Sequence, residues 1–215
     1  MLAPVNGLHQ LVVCLLIFQA TALSRARQEF HWDWHQSQHL SSSDPILKEV
    51  KMADSDRAAL VTAIEARIGA SDPRDPEMAS EDQKRHAALD ANTKMISLNR
   101  DEKEPLEAVV VMRVQNFCSA DGNCSLWFFR KSSHGYRLLL DAIGEGFLVQ
   151  ETTTNGFKDL VVNMHSSATE QWLKVYRYAH GRYWRVACYD AEWAPLDNGV
   201  IHELKEPRIT PSPCN

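Results

Sequence analysis

The chain has no run of basic residues, no apolar stretch long enough to cross a bilayer, no C-x-x-C pair and no G-x-S-x-G turn. Each absence closes a class of function. Sequence-independent nucleic-acid binding needs clustered Lys and Arg to neutralise phosphates, and a formal net charge of −5 argues the other way. A membrane-spanning helix needs roughly 20 apolar residues, whereas Leu11–Phe18 supplies a much shorter run. Without C-x-x-C spacing or a matched His pair, a zinc site has no sequence scaffold. Without the strained G-x-S-x-G elbow, the familiar hydrolase nucleophile is missing too.

What is present matches an exported globular protein. The 215 residues are 44% hydrophobic and 24% charged, enough for one domain with a buried core. Leu11–Phe18 followed by Ala20-Thr-Ala22 predicts a signal peptide over 1–22, although no Lys or Arg precedes the apolar run. A misassigned start and a buried N-terminal strand compete with that reading. Val13 before Cys14 is not the small residue of a lipoprotein signal. The expected localisation is periplasmic or secreted, with no membrane span once the signal is removed. Four cysteines then remain, Cys118, Cys124, Cys188 and Cys214, an even number of the kind a disulfide-bonded exported chain carries. Cys118 and Cys124 flank a turn-rich Ser-Ala-Asp-Gly-Asn, so the economical pairing is Cys118–Cys124 with Cys188–Cys214, the second bridge pinning a tail over 191–215.

Residues 23–52 show no sustained period and read as an extended segment. There His31, His35 and His39 would share a helical face, with Asp33 beside them, only if an uncapped helix formed. A helical segment over 53–92 follows, packing on a sheet. Its clearest element is an amphipathic helix over 55–68, with Leu60, Val61, Ile64 and Ile68 on one face, Asp54 or Ser55 as cap and Gly69 as terminator. A more polar helix is expected over 78–90. From 93 to 190 the signal is β, with eight strands separated by turn pairs such as Asn155-Gly156 and His180-Gly181. Within it a pattern is written twice: Leu106–Met112, Leu126–Arg130 and His134–Leu140 answer to Phe157–Met164, Leu173–Arg177 and His180–Val186. The predicted fold is α+β, mainly antiparallel β, with two similar four-stranded β-units at about 93–142 and 146–190 and an N-terminal amphipathic helix.

Ser97-Leu-Asn-Arg-Asp-Glu-Lys, Pro105 and Glu107-Ala-Val-Val resemble a degenerate FG-GAP or VCBS-type repeat, and Thr154-Asn-Gly-Phe-Lys-Asp-Leu-Val-Val162 resembles a shortened second one. The stretch 118–193 is similar to small uncharacterised exported bacterial proteins, so the likeness covers about half the chain. In intact repeats of this kind loop carboxylates bind calcium. Here only Asn99 and Asp101 stand at ligand positions of the first loop, with Asn155 and Asp159 in the second, and Arg100 adds a positive charge. A plain turn competes with calcium at each loop.

Two function classes compete. One is a hydrolase using Asp159, His165 and Ser167, opposed by the alternation that sends His165 and Ser166 to opposite strand faces. The other is a non-enzymatic binding or interaction module without a cofactor, holding a protein or carbohydrate ligand on Trp172, Tyr176 and Arg177. An aromatic row flanked by Arg130, Arg137, Arg177, Arg182 and Arg185 is its basis. His134 and His180 are read as equivalent turn residues, and Asn123-Cys-Ser125 as a formal glycosylation acceptor that a bridged cysteine would hinder.

Overall fold

Apolar residues at 60, 61, 64 and 68 recur with helical spacing, and in the computed structural model, which describes residues 52–71, 80–98, 107–112 and 118–214, they lie along α1 (Asp54–Ser71). All four are buried. The helix runs two residues beyond Gly69, so that glycine does not end it. α2 (Glu81–Asp90) begins three residues later than its sequence pattern implied, because Ser80 caps it: the Gln83 backbone N–H donates to Ser80 Oγ at 3.1 Å, and the Ser80 N–H donates back to Gln83 Oε1. The signal peptide over 1–22, nearly all of the segment 23–52 with His31, His35 and His39, and the calcium candidates Asn99 and Asp101 lie outside the described residues.

The strands are antiparallel throughout. β1 (Asn92–Ser97), β2 (Glu107–Met112), β3 (Cys124–Ser132) and β4 (Gly135–Gly144) form one sheet in that order. β5 (Gly146–Thr154), β6 (Phe157–His165), β7 (Glu170–Ala179) and β8 (Arg182–Glu192) belong to a second sheet, which β11 (Arg208–Ser212) completes in the order β11-β8-β7-β6-β5. β9 (Leu196–Asp197) and β10 (Val200–Ile201) make a separate two-stranded ribbon. Two four-stranded units were expected; instead the second sheet has five strands, because the tail is itself a strand paired with β8. Among the described residues no helix is long and apolar enough to cross a membrane.

Layering follows from β3, whose Leu126-Trp-Phe-Phe129 run is apolar on both faces. Trp127 and Phe129 pack with Leu60, Ile64, Ile68, Ala87 and Ala88 under the helices. Leu126 and Phe128 turn the other way and meet Phe147, Leu160, Val162, Tyr176 and Tyr183 of the second sheet. Phe128 and Phe147 touch edge to face with centroids 5.1 Å apart. Asp141 fastens the helical side, accepting from the Trp127 indole N–H at 3.1 Å and pairing with Arg67.

The internal repeat survives as hairpin register. In β3–β4, Phe128 faces Leu140, Phe129 faces Leu138 and Arg130 faces Arg137; in β7–β8, Val175 faces Ala187, Tyr176 faces Arg185 and Arg177 faces Trp184. The spacings are identical, with a bulge at the same step. The two histidines are not equivalent, however. His180 opens its turn at φ 50 with Gly181 at 84, whereas His134 is the second residue of its turn and Gly135 already starts β4.

Both expected disulfides are present, Cys118–Cys124 and Cys188–Cys214. The first closes a loop that Asp121 organises by accepting from Ser119 Oγ and, at 3.0 Å, from Asn123 Nδ2. Asn123 then clamps the first sheet to the second: its Oδ1 accepts the His165 N–H at 2.8 Å and its Nδ2 donates to the His165 carbonyl at 2.9 Å. The amide of the formal glycosylation acceptor is thus buried and committed to the backbone of β6.

Where the chain passes from one sheet to the other it does so through Gly144, and a Cβ there would lie 2.5 Å from Val162 Cγ1 and 2.6 Å from the Asn163 carbonyl oxygen. Gly144→Ala is therefore expected to force the sheets apart locally and to lower stability by about 1–3 kcal/mol. Urea unfolding of the variant checks this, and an unchanged midpoint would show that the two sheets are not held this closely.

Candidate functional site

Alternation on β7 decides which of the proposed residues share a surface. Trp172 faces Met164 and Tyr176 faces Leu160, so the two lie on the face that looks toward the first sheet; Arg177 points to the opposite face. Tyr176 is only 8% exposed, a member of the inter-sheet core, and burial pushes its phenol up from the ordinary value. Trp172, some 13 Å along the strand at about 3.3 Å per residue, lies past that core and is 48% exposed. The three residues therefore do not form one binding surface.

Arg177 has a different task. Its Nε stands 3.3 Å from Oδ2 of Asp159, whose side chain is 2% exposed, and Thr152 Oγ1 donates to the same oxygen at 3.0 Å. The guanidinium contact is Coulombic, since Nε lacks hydrogen-bond alignment, and Asp159 Oδ1 has no hydrogen-bond partner among the described residues. Three other arginines have contacts within the chain: Arg130 lies 5.5 Å over Phe157, while Arg182 and Arg137, both exposed, lie 3.6 Å over the exposed Trp184 ring and within reach of the Tyr178 hydroxyl, respectively. Arg177, Arg182 and Trp184 lie on the face of the second sheet opposite Trp172, so the arginines do not flank that indole as one row.

The hydrolase triad is not gathered either. Asp159 and His165 stand six residues apart on β6, roughly 20 Å in an extended strand. Ser167 sits in the β6–β7 turn, where its hydroxyl accepts the Thr169 N–H at 3.3 Å and approaches Glu170 Oε2 at 3.5 Å. Among the described residues no group of three or more His, Cys, Asp or Glu is placed to hold a metal.

Around Trp172 the register assembles what the sequence did not reveal. Thr210, Asp190, Trp172 and Met164 lie side by side across β11, β8, β7 and β6; Ser212, Cys188 and Lys174 form the next row, and Arg208, Glu192 and Glu170 the row on the other side. Neighbouring strands are about 4.8 Å apart and same-face residues about 6.7 Å. Two open clefts meet here. One of about 290 Å³ is lined by Met164, Trp172, Lys174, Asp190 and Ser212; the other, about 340 Å³, by Glu170, Trp172, Asp190, Arg208 and Thr210. Among the described residues Trp172, Lys174 and Asp190 make no side-chain hydrogen bond or ion pair, although Arg208 is held by Asp197 at 3.1 Å and Glu192 at 3.7 Å. Lys174 is partly buried, which lowers its pKa, and the nearby Arg185 lowers it further. Asp190 and Thr210 carried no sequence signal, because cross-strand register cannot be read from composition, whereas Lys174 shares the Trp172 face by alternation alone.

No known family, curated protein or solved structure matches the chain.

Arg177→Ala should strand a buried carboxylate and cost about 1–3 kcal/mol in urea unfolding, discounted from the fully buried case because the guanidinium is 43% exposed. A loss of ligand capture without a loss of stability would instead make Arg177 an anchor. For Lys174 the lowered folded pKa means that the unfolded chain holds the proton more tightly, so stability rises as pH climbs through the folded value toward 10.5. Lys174→Met should therefore be the more stable protein at neutral pH, with the difference shrinking at alkaline pH in parallel melts; a pH-independent difference would refute the shift.

Proposed function

We propose that the chain is an exported, non-enzymatic binding module, working in the periplasm or outside the cell, whose ligand rests on the Trp172 face of the second sheet. The observation that carries this reading is a large indole, half exposed and without a side-chain partner among the described residues, at the junction of two open clefts. Exposing an aromatic ring of this size to water is unfavourable, and a flanking pair of unpaired ionic groups adds no compensating contact within the chain. A ligand satisfies both at once. Two disulfides fit an oxidising compartment outside the cytoplasm. The common register of β3–β4 and β7–β8 supports descent of the two β-units from one degenerate FG-GAP- or VCBS-type repeat.

The test is capture of partners from periplasm or culture medium on the immobilised full chain. Trp172→Ala should reduce recovery of the ligand by the equivalent of about 1–3 kcal/mol. Equal recovery by wild type and variant would remove the site. Turnover of an ester or glycoside panel that Ser167→Ala abolishes would move the assignment to a hydrolase.

A further inference from the structure

Resting on the binding reading, we infer that the Trp172 floor takes an uncharged saccharide chain, with one pyranose ring stacked on the indole and a neighbouring ring extending toward Thr210 and Arg208. A pyranose has an apolar C–H face and a rim of hydroxyls that both donate and accept. It therefore needs a flat aromatic surface edged by polar groups of both kinds. Trp172 provides the surface. Asp190, directly across from it on β8, provides an acceptor, and Lys174, two residues along β7, provides a donor. Among the described residues neither is engaged in an ion pair, which leaves both able to meet ligand hydroxyls. Ser212 and Thr210 add hydroxyls at the far edge of the same floor.

Charge selects among saccharides. Lys174 and Asp190 offset each other, Glu170 offsets Arg185 beside Lys174, and Arg208 stands against both Asp197 and Glu192, so the floor carries no cationic excess. Polyanions such as uronate polymers are thereby disfavoured. The shape favours an oligomer over a monosaccharide, since two open clefts share Trp172 and Asp190 and continue from them toward Ser212 on one side and Arg208 on the other. A protein ligand would need apolar neighbours that exclude water around the anchor. Here Met164 beside Trp172, with the bridged Cys188 and Pro213 at the cleft wall, is outnumbered by Lys174, Asp190, Ser212, Glu170, Glu192 and Arg208, which leave the anchor open to water.

The test is affinity electrophoresis of the full disulfide-bonded chain through gels containing soluble neutral glucan, mannan or galactan, beside gels containing alginate or polygalacturonate. Retardation by at least one neutral polymer, little changed by 0.5 M salt because no charge pair drives it, is expected. Trp172→Ala should weaken it at least tenfold, Asp190→Asn and Lys174→Gln several-fold each, and Trp184→Ala, on the opposite face, not at all. Retardation by the anionic polymers alone, lost in salt, would overturn the inference. So would an absence of retardation while Trp172-dependent capture of a protein persists, an outcome that leaves the binding reading intact. If neither capture nor retardation depends on Trp172, both fall, and release of reducing ends from a retarding polymer would overturn the non-enzymatic assignment.

Discussion

The structure depends on covering both faces of β3. Leu126, Trp127, Phe128 and Phe129 are all buried, so this strand cannot lie at a surface with one side in water, as most antiparallel strands do. One pair of side chains calls for the helices and the other for a second sheet. The three layers are thus a consequence of four consecutive apolar residues. In the second sheet β6 repeats this with Leu160, Val161 and Val162 all buried, but farther out the inner face passes from core residues such as Val162 and Tyr176 to the open positions of Trp172 and Asp190. A site arises where that inner face continues past the core it was built to cover.

Much of the fold was legible because it is local. The period of Leu60, Val61, Ile64 and Ile68 marked α1, and turn pairs such as Asn155-Gly156 marked hairpins whose positive φ values follow from the chemistry of those residues. Gly69 misled: a glycine is only permissive for a helix end, and here the helix continues to Ser71 past the buried Ile68. The fifth strand was missed because Arg208–Ser212 contains Pro211 and only one strongly apolar residue, Ile209, and its pairing is decided by β8 and by the bridge from Cys188.

The site was legible only in part. Trp172 stood out as a large aromatic, but grouping it with Arg177 ignored strand alternation, which separates positions five apart onto opposite faces. Asp190 and Thr210 became visible only through pairing across β7, β8 and β11, whereas Lys174, two residues from Trp172, follows from alternation on one strand. Asn123 looked like a modification signal because its sequence context resembles one, although its two bonds to His165 show a backbone-like role that no local pattern encodes.

The last strand also governs how the sheet ends. β8 would be an open edge without β11, with a row of unpaired N–H and C=O groups able to recruit a strand from another molecule. β11 covers that edge, and Pro211 removes one donor from the new one. Because the Cys188–Cys214 bridge ties the end of this cover back to β8, the chain's colloidal behaviour is coupled to its redox state: a reduced molecule whose tail peels away presents a long aromatic-rich edge, and self-association becomes the cost of leaving an oxidising compartment.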